Sequence, residues 1–223
     1  MRTDERIKTD VVDQMYWDSR IDASNITIKV DSGQVNLDGN VPTYTAKQAA
    51  YDDAWVVSGV TTVENDLEIE PSKTKVEVPS DEQIQANIKN TFQWNPDLAA
   101  YKVDVSVKNG WAELTGTVDA YWKKVQAESD ALSVNGVLGV TNNVAVVPTE
   151  KITDESIAED VVNALERNLE INADNVDVTV RDGTVRLDGT VTTLSAKSAA
   201  NNAALYTRGV VAVEDNLVVS SQV

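Results

Sequence analysis

The chain has 223 residues with 19 basic and 36 acidic side chains, a net charge of −17, and neither cysteine nor histidine. Without them there is no disulfide framework, no thiolate or imidazole metal ligand, and no Ser-His or Cys-His catalysis. The acidity repels nucleic-acid phosphates and anionic lipid surfaces, while an apolar fraction of 42% is that of a folded protein.

Self-comparison shows three copies of one pattern. Ile7, Gly33, Gly39, Gly59 and Asp66 recur 77 residues on as Ile84, Gly110, Gly116, Gly136 and Asn143. After a further 73 they recur as Ile157, Gly183, Gly189, Gly209 and Asn216. The copies align without internal gaps, so the modules are placed at residues 1–70, 80–148 and 150–223. The linkers begin at Pro71 and Pro148 and read as extended spacers.

Each copy opens on a helix. Asp4, Asp81 and Asp154 are its expected N-caps. Apolar residues then fall four apart, as Ile7, Val11 and Met15, as Ile84, Ile88 and Phe92, and as Ile157, Val161 and Leu165. Pro96 marks an end for the second of these helices. A β-hairpin follows, with turns at Ser32-Gly33, Asn109-Gly110 and Asp182-Gly183 between alternating runs. Alternation on one side only predicts a sheet with one face on a core and the other in water. Gly39, Gly116 and Gly189 inside the second strand read as a bulge or a close backbone approach, with a backbone brought near a ligand as the alternative.

An alanine-rich second helix, with Ala50 and Ala54 or their equivalents inward, is expected to lie close to the sheet. Gly59, Gly136 and Gly209 are its expected C-terminal stops. A last strand should run parallel to the one before it. The fold class is therefore α+β, each module pairing two helices with one face of a three-stranded mixed sheet. The acidic pair Asp52-Asp53 reads as a solvated face.

This module, with the run Val180-Arg181-Asp182-Gly183-Thr184-Val185-Arg186-Leu187-Asp188-Gly189-Thr190-Val191, then Gly209-Val210-Val211-Ala212-Val213 and Asn216-Leu217, resembles the BON domain. The whole resembles triple-BON proteins of the osmotically inducible protein Y group, which the Tyr16-Trp17-Asp18 and Gln93-Trp94-Asn95 steps also fit. The resemblance implies a non-enzymatic, stress-associated binding protein. It implies partners that are protein or phospholipid surfaces, self-association among them, or potassium held by unassigned ligands. Nucleic acid is not an expected partner, and no apolar run is long enough to span a membrane. The first residues lack a signal-peptide core, so the expected location is cytoplasmic, or periplasmic were a leader to precede residue 1.

The modules differ in charge. Residues 4–70 carry 5 basic and 14 acidic groups, a net of −9; residues 81–147 carry 5 and 8, a net of −3; residues 154–221 carry 5 and 12, a net of −7. The middle module is also richest in aromatic rings. Trp94, Tyr101, Trp111, Tyr121 and Trp122, with Lys123 and Lys124, are the candidate partner-binding residues. Trp111 and Trp122 stand where the other copies have Gln, Thr or Ser, so these rings are expected either to form an exposed patch at the edge of hairpin turn and second helix or to pack against a neighbouring module.

Overall fold

The computed structural model describes residues 2–70, 79–99 and 102–220. Most of the first linker and Tyr101 lie outside the described residues. The first module contains α1 (Asp4–Trp17), β1 (Ile26–Asp31), β2 (Gln34–Val41), α2 (Tyr44–Trp55), and a last strand in two pieces, β3 (Thr62–Asn65) and β4 (Glu68–Ile69). The second contains α3 (Asp81–Trp94), β5 (Val103–Lys108), β6 (Trp111–Val118), α4 (Tyr121–Leu132) and β7 (Gly139–Val146). The third contains α5 (Asp154–Glu166), β8 (Val176–Arg181), β9 (Thr184–Val191), α6 (Leu194–Leu205) and β10 (Ala212–Val219).

In every sheet the second hairpin strand is central. The first strand pairs antiparallel on one side of it and the last strand parallel on the other. This settles the strand order, which periodicity alone leaves open. The helix stripes and the inward alanines meet one face of each sheet, where Val35, Leu37, Ala50 and Ala54 are fully buried in the first module. The other two cores repeat this arrangement with Ala127 and Ala131, and with Ala200 and Ala204. Burying one Ile, Leu or Met of this kind contributes roughly 1.5–3 kcal/mol.

Two-residue turns join the hairpins, with positive φ at both positions: 52° and 81° at Ser32-Gly33, 51° and 77° at Asn109-Gly110, 50° and 73° at Asp182-Gly183. That is the primed geometry whose twist matches the flanking strands. The expected N-caps need correction here. Thr3, Ser80 and Thr153 cap the first helices, each hydroxyl accepting a backbone N–H three residues on. The aspartate that follows is released to the hairpin. Asp4 accepts the N–H groups of Ser32 and Gly33 at 2.9 and 3.0 Å. Asp81 does the same for Asn109 and Gly110 at 2.7 and 2.9 Å, and Asp154 for Asp182 and Gly183 at 2.8 and 2.9 Å. One carboxylate thus fastens helix to turn in each module.

The strand glycines mark a close approach, and what approaches is backbone. A Cβ on Gly39, Gly116 or Gly189 would stand 2.0–2.1 Å from the carbonyl oxygen of Asn25, Lys102 or Asn175, just before the partner strand. Their φ values of 124–129° are closed to other residues in any case. Gly59, Gly136 and Gly209 are a second correction. α2 ends at Trp55, and Gly59 sits in a separate turn closed by the Val60 N–H to the Val57 carbonyl at 3.2 Å. There it lies against Ile7, as Gly136 lies against Ile84 and Gly209 against Ile157. These glycines bring the loop down onto the first helix.

Candidate interaction surface

The candidate residues of the middle module do not form one edge. Trp111 opens β6 beside the hairpin turn, whereas Tyr121 and Trp122 open α4, after the strand has ended. Eight residues of extended chain, about 25 Å, separate the two places. The reading of a common edge therefore fails, because hairpin turn and second-helix start lie at opposite ends of the central strand.

Trp111 is on the solvent face of its sheet and 57% exposed. It pairs across the ladder with Gly139, and its ring lies where a side chain there would stand, 2.4 Å from an added Cβ. The other modules place Gln34 beside Thr62 and Thr184 beside Ala212. A ring over a strand glycine covers backbone that would otherwise be bare. One face of Trp111 therefore has a structural role.

Tyr121 packs against the core of the third module. The Trp122 ring lies 6.3 Å from that of Tyr206, just past the end of α6, at 41°. Lys123 holds its ammonium 5.4 Å from the Trp122 ring centre and 2.9 Å from the carboxylate of Asp119. Lys124 is half-buried, and its carbonyl accepts from the Asn142 side chain at 2.9 Å. Tyr121, Trp122 and Lys123 thus sit at the seam between the second and third modules.

Tyr121 has equivalents in the other copies, Leu194 and Tyr44. Leu194 opens α6, is buried, and belongs to the core of the first module. Val219 of β10 also packs on that core. Tyr44 opens α2; burial pushes its phenol pKa up, with the charge of Glu128 on α4 adding to the shift. Two of the second helices thus pack their first residue on the core of another module, and Tyr44 of the first feels the charge of Glu128 on the second. Between the first and third modules lies a cleft of about 1430 Å³, walled in part by Arg2, Trp55, Val57, Thr193, Ser198 and Asn202.

Fully exposed rings stand elsewhere. Trp94, the last residue of α3, is 86% exposed. It lies two positions past Phe92, so the helical turn carries it away from the buried stripe. Trp17, its equivalent at the end of α1, is 82% exposed and meets the exposed Tyr16 edge-on at 5.2 Å. Sequence reasoning left Trp17 out of the candidate set. The signal was the repeat itself, which puts Trp17 and Trp94 at one position of the module. In the third module Arg167 stands there, followed by the fully exposed Leu169. Trp94 and Trp111 are also apart, because Asp81 at the other end of α3 holds the turn, and 14 helical residues span about 20 Å.

Asp53 departs from the solvated-face reading. It points between α1 and α2, is 5% exposed, and has one carboxylate oxygen without a partner. The other accepts from Gln14 at 3.4 Å. Burial pushes its pKa up, outweighing the Gln14 contact. The second module has Asp130 at this place, bonded to Asn95 and Gln126 at 2.7 Å each, and the third has Ala203. Among the described residues no group of three or more acidic side chains is placed to hold a metal ion, and no helix is long and apolar enough to cross a membrane.

The BON domain family model matches residues 3–71, 80–148 and 153–221. The chain is similar to osmotically-inducible protein Y of Escherichia coli K12, with 29% identity over 140 residues, covering 62% of this chain and 68% of that protein. Two structures of CdsD, a structural protein of the type III secretion system of Chlamydia trachomatis, align with it at 14% and 15% identity. Their TM-scores are 0.27 and 0.28; they cover 95% and 99% of this chain, which in turn covers 91% and 100% of theirs. Superposition that loose adds nothing to the functional reading. The family match spans nearly the whole chain in three consecutive units, and the chain belongs to the BON domain family as three such domains in tandem.

Proposed function

We propose that this is a non-catalytic binding protein of osmotic or envelope stress, which docks on a partner protein through the tryptophans that end its first two domains' leading helices. The stress setting is supported by similarity to osmotically-inducible protein Y. The observation that carries the docking reading is the exposure of Trp94 and Trp17, 86% and 82%, at one repeated position. Large rings are the residue type that most often dominates interface energy once desolvated, and a solvated ring at a helix end is free to be covered. A protein partner is favoured over an anionic lipid surface by the net charge of −17. Trp111, with one face free, is a third candidate contact.

The test is capture of partners from osmotically stressed cells by the wild type and by Trp17→Ala/Trp94→Ala, with circular dichroism confirming the fold. Loss of a stoichiometric partner from the variant, regained on restoring Trp94, supports the reading. An identical captured set for both proteins sinks it. Equal flotation of both proteins with zwitterionic or anionic vesicles would remove these rings from any lipid role; loss of flotation in the variant alone would replace the protein partner with a membrane.

A further inference from the structure

We infer that the three domains close into a ring whose last seam, between the third and first domains, opens and closes with ionic strength. Contacts between consecutive domains follow from chain connectivity; a contact from the third back to the first does not. Leu194 makes that contact from inside the core of the first domain, and Val219 packs on both cores. Tyr121, at the equivalent position, packs against the third domain, and Tyr44 lies near Glu128 of the second. One residue position therefore points each domain at the next in the same sense. A head-to-tail contact repeated this way either closes or runs on, and return to the first domain makes it a ring of three.

The closing seam joins the wrong pair for electrostatics. It brings together the domains of net charge −9 and −7 and leaves the −3 domain out. Acids outnumber bases at the junction: Glu170 and Asp4 line the cleft with Arg2, whose guanidinium is paired with Asp10 of its own domain, and the Tyr51 phenol in the first domain, shifted up chiefly by burial, also feels the charge of Asp215 in the third. A small apolar contact opposes this repulsion. A domain of about 70 residues has a radius of gyration near 11 Å, which for a compact sphere is a radius of about 14 Å, so neighbouring centres lie about 28 Å apart. That is roughly three screening lengths at 0.1 M salt and just under one at 0.01 M. Repulsion therefore acts at full range in dilute salt and is largely screened in concentrated salt, while the burial of Leu194 changes little. Rising ionic strength closes the ring. The inference stands apart from the docking reading and needs no partner.

The native chain lacks cysteine, so Thr27→Cys and Thr179→Cys, exposed on β1 and β8, give two unique spin-label sites. Electron–electron distance measurements in about 10 mM and about 500 mM salt should show a long-distance population that dominates in dilute salt and falls several-fold in concentrated salt. Leu194→Ser should hold the long population at both salts. Leu194 lies outside the third domain's own core cluster, so helix content should be unchanged. A single short distance at both salts in the wild type would overturn the ionic-strength dependence. A short distance retained by a folded Leu194→Ser variant would overturn the closing role of Leu194.

Discussion

The aspartates that start the first helices do two jobs with one carboxylate: they sit where the helix dipole favours negative charge, and they accept both N–H groups of the hairpin turn. Asp81→Ala should therefore loosen the turn, costing about 1–2 kcal/mol, and amide exchange at Asn109 and Gly110 should speed up before that of the core strands. Gly189→Ala should cost more, about 3–5 kcal/mol, since the new Cβ meets the Asn175 carbonyl while φ stays positive. Asp53 works in the opposite direction. Its folded pKa lies above the unfolded value, so the folded state holds the proton more tightly. Stability from this group is present in acid and is lost as pH rises from about 4 through the raised pKa. Asp53→Ala, the residue type of the third domain, should stabilise by about 1 kcal/mol at pH 7, and the gain should shrink towards pH 4 in parallel denaturation curves.

At the scale of elements, what repeats was legible and what a helix leaves to chance was not. Four-residue spacing in Ile84, Ile88 and Phe92 and alternation in Val185 and Leu187 report burial directly, so the helices, hairpins and parallel last strand follow from the sequence. Hairpin dipeptides report φ and place the turns. The N-caps were misplaced by one residue because Thr-Asp and Ser-Asp offer two capping side chains in succession, and only the fold shows the turn that claims the second. Asp53 was misread because the charge of its neighbour Asp52, which is exposed, suggested a common environment. Trp111 and Trp122 were grouped from their contrast with polar residues in the other copies, a signal blind to the length of β6 between them. Trp122 tells seam from surface: Trp122→Ser should cost about 1 kcal/mol through the lost Tyr206 contact, read as earlier unfolding of the third domain.

For the whole molecule the account joins two properties, a net charge of −17 and a few tryptophans held outside every core. Salt should raise the unfolding temperature by screening self-repulsion, and potassium and sodium at equal ionic strength should do so equally. A rise selective for potassium would point instead to a carbonyl-lined ion site of the kind the family resemblance raised. The central claim, docking through the helix-end rings, is tested most directly by a photo-crosslinking amino acid placed at position 94 in osmotically stressed cells, with position 27 on the exposed sheet face as control. The account predicts an adduct of one defined mass with a partner protein from position 94 and none from position 27. Equal adducts from both positions, or none from 94 where 27 reacts, would contradict it.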